Sequence, residues 1–277
     1  MRRRVLAVVA SLLIGPAALH AQWLNYPTPG IPRLPDGKPN LSAPAPRLPN
    51  GKPDLSGIWQ GWHGGTDNLF FDLAKDLKPA DVQMTPWAAA VSTQRNKREH
   101  VDDPLGYCMP PGVPRIDFVD QFRIVQTSAE TVFLHEAQVG MMFRQIFTDG
   151  RPLPIDPEPT WLGYSIGRWD GDTFVVETNG LRDGGWLDVR VARPHSDALH
   201  VTERFHRLTF GQLELKVTID DPKAYVKPWT VTTILPLLPD TELLEAFCDN
   251  HDLTLQHRSI EPAPPEPPSP PLPEVKR

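Results

Sequence analysis

Residues 199–220, LHVTERFHRLTFGQLELKVTID, decide the fold class. In the second half, Leu213, Leu215, Val217 and Ile219 alternate with Gln212, Glu214, Lys216 and Thr218. Successive side chains of a strand point to opposite faces, so this half is a strand with one buried face and one wet face. In the first half, Leu199, Val201, Glu203 and Phe205 share one face, and His200, Thr202, Arg204 and His206 share the other. Only the first of these faces is apolar. It turns inward and carries Glu203 with it.

Working outward, short β-branched and aromatic runs separated by turn residues continue in both directions. Strands are expected near 122–127, 130–137, 141–148, 162–169, 172–179, 199–208, 212–220, 229–236 and 242–248. The strongest hairpin signal is Trp169-Asp170-Gly171-Asp172, where Asp-Gly suits a tight type I′ turn. Ahead of the strands, Thr85-Pro86 reads as an N-cap with proline at the first helical position and opens one helix of about 14 residues. Cys108 to Pro114 should then cross in an extended conformation. Many strands with short connections leave few exposed edges only if the sheet closes. The expected fold is all-β, an antiparallel up-and-down barrel with one N-terminal helix. A two-sheet β-sandwich is the alternative.

The chain has 277 residues, of which 33 are proline, and these concentrate at its two ends. Arg2 to Arg4, an apolar run from Val5 to Ile14 and small residues up to Ala21 read as a secretory signal over 1–21. That apolar run is too short for a bilayer span of about 20 residues. Arg2-Arg3 also bears a faint likeness to a twin-arginine signal. Residues 22–53 form a proline-rich linker holding a short repeat. Arg33-Leu-Pro-Asp-Gly-Lys-Pro-Asn-Leu-Ser is followed by Arg47-Leu-Pro-Asn-Gly-Lys-Pro-Asp-Leu-Ser, and each copy is a turn. The first copy is expected to be a linker or mobile arm. The barrel domain covers 54–260, and 261–277 is a solvated proline-rich tail.

A net charge of -6 and the lack of a basic stripe exclude nucleic acid as an expected partner. Export to the periplasm or beyond favours pairing of the two cysteines, Cys108 and Cys248. A catalytic or metal-bound thiol is the other reading, and no Cys-x-x-Cys spacing supports it.

Several motifs then converge. Asn50 to Trp59 reads Asn-Gly-Lys-Pro-Asp-Leu-Ser-Gly-Ile-Trp, Cys108 to Arg115 reads Cys-Met-Pro-Pro-Gly-Val-Pro-Arg, and Gly167 to Thr173 reads Gly-Arg-Trp-Asp-Gly-Asp-Thr. Pro194 to Arg204 contains Pro-His-Ser-x-x-Leu-His-Val-x-Glu-Arg, and Asp221 to Tyr225 contains Asp-Pro-x-Ala-Tyr. Across Leu48 to Asn250 the chain resembles an abundant family of exported bacterial proteins to which no activity attaches. Asp170 stands where that family leads one to expect glutamate, and Phe174 where it leads one to expect leucine. Gly57-Ile58-Trp59 is also similar to the opening of lipocalin-like barrels, a resemblance that implies a cavity for a small, largely apolar molecule.

Candidate chemistry centres on Glu203. A buried carboxylate has a raised pKa unless a cation pairs with it, and such a group can act as general acid or base. The competing reading is a structural ion pair with Arg144 or Arg123. Glu136, beside Val132 and Leu134 on strand 130–137, is assigned the same inward position, and two carboxylates facing one cavity would form a paired site. His195 is the other acid-base candidate. Arg144, Trp186, Asp188, Arg204 and His200 are candidate ligand contacts, with Trp186 on a long Gly-rich loop serving either as a lid or as a plug. His200 and His206 lie about 20 Å apart along a strand and cannot share a metal ion. His195, Asp197 and His200 lie closer together but fit no fixed-spacing ligand motif. Gly163-Tyr-Ser165-Ile-Gly167 matches Gly-x-Ser-x-Gly, yet a hairpin follows it and not the helix a nucleophile elbow requires. No cofactor is implied.

Three functions remain at this stage. One is an exported barrel binding a small molecule, and the second is a cofactor-independent lyase, isomerase or hydrolase of the same shape. The third is an inert scaffold whose proline-rich ends recruit partners.

Overall fold

The computed structural model describes residues 27–61, 71–137, 140–248 and 265–272. The secretory signal assigned to 1–21 lies outside them. Nine strands form one sheet in sequence order: β1 (Gly57–Gln60), β2 (Gln121–Gln126), β3 (Glu130–Ala137), β4 (Gly140–Phe147), β5 (Tyr164–Asp170), β6 (Thr173–Asn179), β7 (His200–Thr209), β8 (Gln212–Asp220) and β9 (Trp229–Pro236). The edges nearly meet, because Trp59 bridges Leu237 and the Leu238 amide donates to Ile58 O at 2.8 Å. A single sheet curling onto itself is a barrel and not a sandwich.

Neighbouring strands are antiparallel except β4 and β5, which run parallel through Ile146↔Ser165 and Phe147↔Ile166. The proline-rich crossing 148–163 carries the chain back to the end where β4 began. The barrel is therefore two antiparallel meanders joined along one parallel seam.

Two expectations need correction. The ninth strand is β1 and not 242–248, which makes only a single bridge, Phe247 to Gly140. Leu244 and Phe247 are exposed there, so the run has no buried apolar face to hold it as a strand against the barrel. The β5–β6 turn also differs from type I′. Asp170 pairs with Thr173, so the two loop residues are Gly171 and Asp172, and only Gly171 has positive φ. That is the pattern of a type II′ turn.

Residues 27–53 lie against the barrel. Each repeat copy closes the same turn, Gly37 to Leu34 O and Gly51 to Leu48 O. The repeated arginine reaches an acid on the barrel: Arg33 to Asp240 at 2.7 and 2.5 Å, and Arg47 to Asp172 at 3.0 and 2.5 Å. Gly211 and Phe210 donate to Leu41 O and Ala43 O. Prolines give this arm no hydrophobic period, so its docking through backbone carbonyls and two arginines leaves no periodic trace in the sequence. Beneath it, Arg207 lies 4.8 Å over the Trp59 ring and donates to Asp54 O and Ser56 O.

Among the described residues, two α-helices flank the barrel strands. Helix α1 (Pro86–Lys97) begins at Thr85, whose hydroxyl accepts from the Ala88 amide. Its buried face is Ala88, Val91, Ser92 and Arg95. Helix α2 (Ile116–Val119) is a single turn that follows Cys108–Arg115 and presents Asp117 to the interior. A bond between Cys108 and Cys248 ties the approach to α2 to the end of the barrel domain.

Candidate functional site

The inward face of β7 is the one the alternation assigns: Leu199, Val201, Glu203 and Phe205 are all buried, and Glu203 is fully so. Strand β4 behaves differently. It turns Phe143, 61% exposed, toward solvent and Arg144, 2% exposed, toward the interior. A one-residue shift would bury Met141, Phe143 and Phe147 instead. The strand forgoes that burial, and Arg144 makes up for it with polar contacts.

Arg144 has five N–H donors, and all five are used. Nε donates to Ser165 Oγ at 3.3 Å, and Nη1 to Asp117 Oδ2 at 2.9 Å and Glu203 Oε1 at 3.1 Å. Nη2 donates to Thr178 Oγ1 at 2.8 Å and to Glu203 Oε2. Ser165 and Thr178 also bond each other at 2.8 Å. Five elements thus converge on one cation: β4, β5, β6, β7 and α2.

His135 completes the group. Phe122 and Phe133 pack around its ring at 5.1 and 6.2 Å, and neither ring nitrogen has a hydrogen-bond partner. Asp117 Oδ1 is likewise buried and unpartnered. The His135 Nε2 to Asp117 Oδ1 distance is 3.4 Å, which geometry alone would call an ion pair. The charges say otherwise. Burial, then the neighbouring Arg144, lowers the His135 pKa to about 3. Burial, then the charge of Glu203, holds the Asp117 carboxyl well above the usual carboxylate range. A neutral imidazole therefore faces a carboxyl whose ionisation is opposed by burial and by the charge of Glu203. Burial opposes the charge on Arg144, but Glu203 and Asp117 together raise its pKa above the ordinary value.

Of the residues singled out in the sequence, Glu203 and Arg144 meet here. Glu136 does not. On β3 the buried side chains are Thr131, Phe133 and His135, and Glu136 lies on the opposite face, accepting from Gln121 Nε2 and the Leu244 amide at 2.6 Å each. Val132, Phe133 and Leu134 are consecutive apolar residues, so alternation cannot choose between the two faces of this strand. The same ambiguity hid His135. Asp117 escaped notice because its four-residue helix follows directly on a run dominated by prolines.

His195, Trp186 and Asp188 gather elsewhere, between α1 and the loop before β7. Asp188 is buried and bonds Arg193 and the Val191 amide. Its pKa is raised, chiefly by burial. His195 is buried with a lowered pKa, again from burial, and its Nδ1 lies 3.1 Å from Ser196 O. Asp197 pairs with Lys223 at 2.6 Å. Arg204 and His200 occupy the outer face of β7, with Arg204 bonded to Asp170 at 2.7 Å. Arg123, the other possible partner for Glu203, lines a groove of about 540 Å³ between the arm and the barrel.

Ser165 is buried in β5, bonded to Thr178 and Arg144. The glycine beside it has a packing role: a Cβ on Gly167 would fall 2.5 Å from the Phe174 ring. Among the described residues no helix is long and apolar enough to cross a membrane. Comparison with protein-family models, curated proteins and solved structures returns no match.

Proposed function

We propose that this chain is an exported binding protein whose barrel interior takes a small, largely apolar molecule carrying one uncharged polar group. The observation that carries this reading is the pair of wholly buried, unpartnered groups, His135 and Asp117 Oδ1, side by side in the interior. Buried polar atoms are nearly always hydrogen-bonded, and an orphan pair marks a place for water or a ligand. Arg144 has no donor left for an anion. A neutral imidazole offers a donor and an acceptor, as does a carboxyl in the protonated form that burial favours, which suits a hydroxyl, carbonyl or amide. The surrounding Phe122, Phe133 and Phe205 suit an apolar body. The secretory signal and the Cys108–Cys248 bond support an oxidising, exported setting, in keeping with the exported family that the motifs resemble.

The test is a panel of compact alcohols, ketones and amides, each matched with its hydrocarbon, followed by the thermal midpoint of wild type and His135→Leu. Polar members should raise the wild-type midpoint and leave the variant unchanged. Equal response to the hydrocarbons, or no response to any member, would sink the proposal.

One observation favours a second reading, acid-base catalysis. Asp117 and Glu203 accept from the same Arg144 nitrogen, and burial and the charge of Glu203 raise the Asp117 pKa; a buried carboxyl raised in this way can serve as a general acid. Chromatography of the recovered compound separates the two readings, since an enzyme returns it altered and a binding protein returns it unchanged.

A further inference from the structure

Arg95, in the last turn of α1, is 2% exposed, yet its carboxylate partner comes from outside the barrel. Glu266 accepts from Arg95 Nε at 2.6 Å and from Nη2 at 2.9 Å, while Nη1 donates to Gly185 O at 3.1 Å. The guanidinium lies 4.8 Å from the centre of the Trp186 ring. One residue further on, Pro267 O accepts from Trp87 Nε1 at 2.9 Å. Trp186 is buried but stands apart from the apolar cluster that fills the barrel.

This pocket is built independently of its occupant. Ser92 Oγ and Asn96 Nδ2 both donate to Val191 O, at 2.6 and 2.8 Å, and fasten α1 to the loop carrying Trp186. His195 presses against Gly185 so closely that a Cβ there would fall 1.9 Å from Nε2. A guanidinium stacked on an indole, with two parallel N–H groups aimed at one side, has the geometry that reads a carboxylate in bidentate fashion. A buried cation of this kind requires an anion. The occupant sits at the surface, with Glu266 33% exposed.

We propose that Arg95, Trp186 and Trp87 form a recognition site for an extended proline-rich segment bearing a Glu-Pro step, which residues 265–272 fill in cis. Recognition of a proline-rich strand by aromatic side chains exploits its preformed extended shape. Cys248, tethered to Cys108, precedes Glu266 by 18 residues (266 − 248). Covalent attachment makes docking of the resident segment intramolecular, and a segment in trans with the same step competes against it.

The experiment uses the full chain and a fluorescein-labelled peptide of residues 262–273, read by anisotropy. Glu266→Lys should release the resident segment, so this variant should bind the peptide at least tenfold more tightly than the native chain. A peptide with glutamine in place of its one glutamate should bind the variant at least tenfold more weakly. Adding Arg95→Leu to Glu266→Lys should abolish binding. Adding Trp87→Phe, which keeps an aromatic ring at a half-buried helix position, should weaken binding severalfold. Equal binding by native and Glu266→Lys chains, indifference to the peptide's glutamate, or affinity unchanged by Trp87→Phe would each overturn the proposal.

Discussion

Replacing His135 with leucine should make the protein more stable, and increasingly so as the pH falls. The imidazole is buried against Phe122 and Phe133 with both nitrogens unpartnered, and an unmade hydrogen bond at a buried group costs about 1–3 kcal/mol. Leucine removes that cost in the ligand-free protein. The pH term follows from the depressed pKa, about 3 in the folded state against about 6.5 in the unfolded chain. The unfolded state takes up the proton first, so wild type loses stability as the pH drops below about 6.5, by up to about 1.4 kcal/mol per unit. At pH 4 this amounts to about 3 kcal/mol, which the variant keeps. Asp117 acts with the opposite sign. Its raised pKa contributes stability at acid pH that is lost as the pH rises through the folded value, but it is present in both proteins and drops out of the difference. Denaturant unfolding at pH 7 and pH 4 should therefore show the variant ahead by about 1–3 kcal/mol and about 4–6 kcal/mol respectively. Curves for the two proteins that run parallel with pH would show that His135 titrates as if hydrated, and would refute the reasoning.

Arg144→Leu should cost about 3–5 kcal/mol in the same assay, because it leaves two carboxyls buried without a cation. Glu203→Gln should cost less, about 1–2 kcal/mol, because it keeps an acceptor facing Arg144 and removes a charge that opposes ionisation of Asp117, so the Asp117 contribution that fades with rising pH should shrink. Gly167→Ala drives a methyl group into the Phe174 ring and should cost about 1–3 kcal/mol by thermal or chemical unfolding. Alkylation without reductant should leave the mass unchanged, and reduction of Cys108–Cys248 should destabilise the chain by up to about 5 kcal/mol, since the bridge closes a separation of 140 residues.

The strands were legible wherever one face is apolar and the other polar. β7 and β8 fall within a residue of the places read from the sequence, and Glu203 points as the alternation requires. Legibility failed where both faces are apolar. On β3, Val132, Phe133 and Leu134 conceal which parity is buried, and that hid His135 and misplaced Glu136. On β4 the hydrophobic pattern points the wrong way, because Arg144 is inward on account of partners on four other elements. No local rule sees such a convergence. The arm and the tail segment escaped for a related reason: they dock through arginine–carboxylate pairs and backbone carbonyls, and proline-rich sequence carries no period.

The most direct test of the interior site is to incubate wild type and His135→Leu with a periplasmic metabolite extract. Unbound material is removed, the protein is unfolded, and the released compounds are identified by mass spectrometry. The wild-type chain should release a neutral, mostly apolar compound bearing a hydroxyl, carbonyl or amide, at up to one molecule per chain, and the variant should release none of it. Identical profiles from the two proteins, or a retained compound that is anionic, would contradict a binding site built on His135 and Asp117.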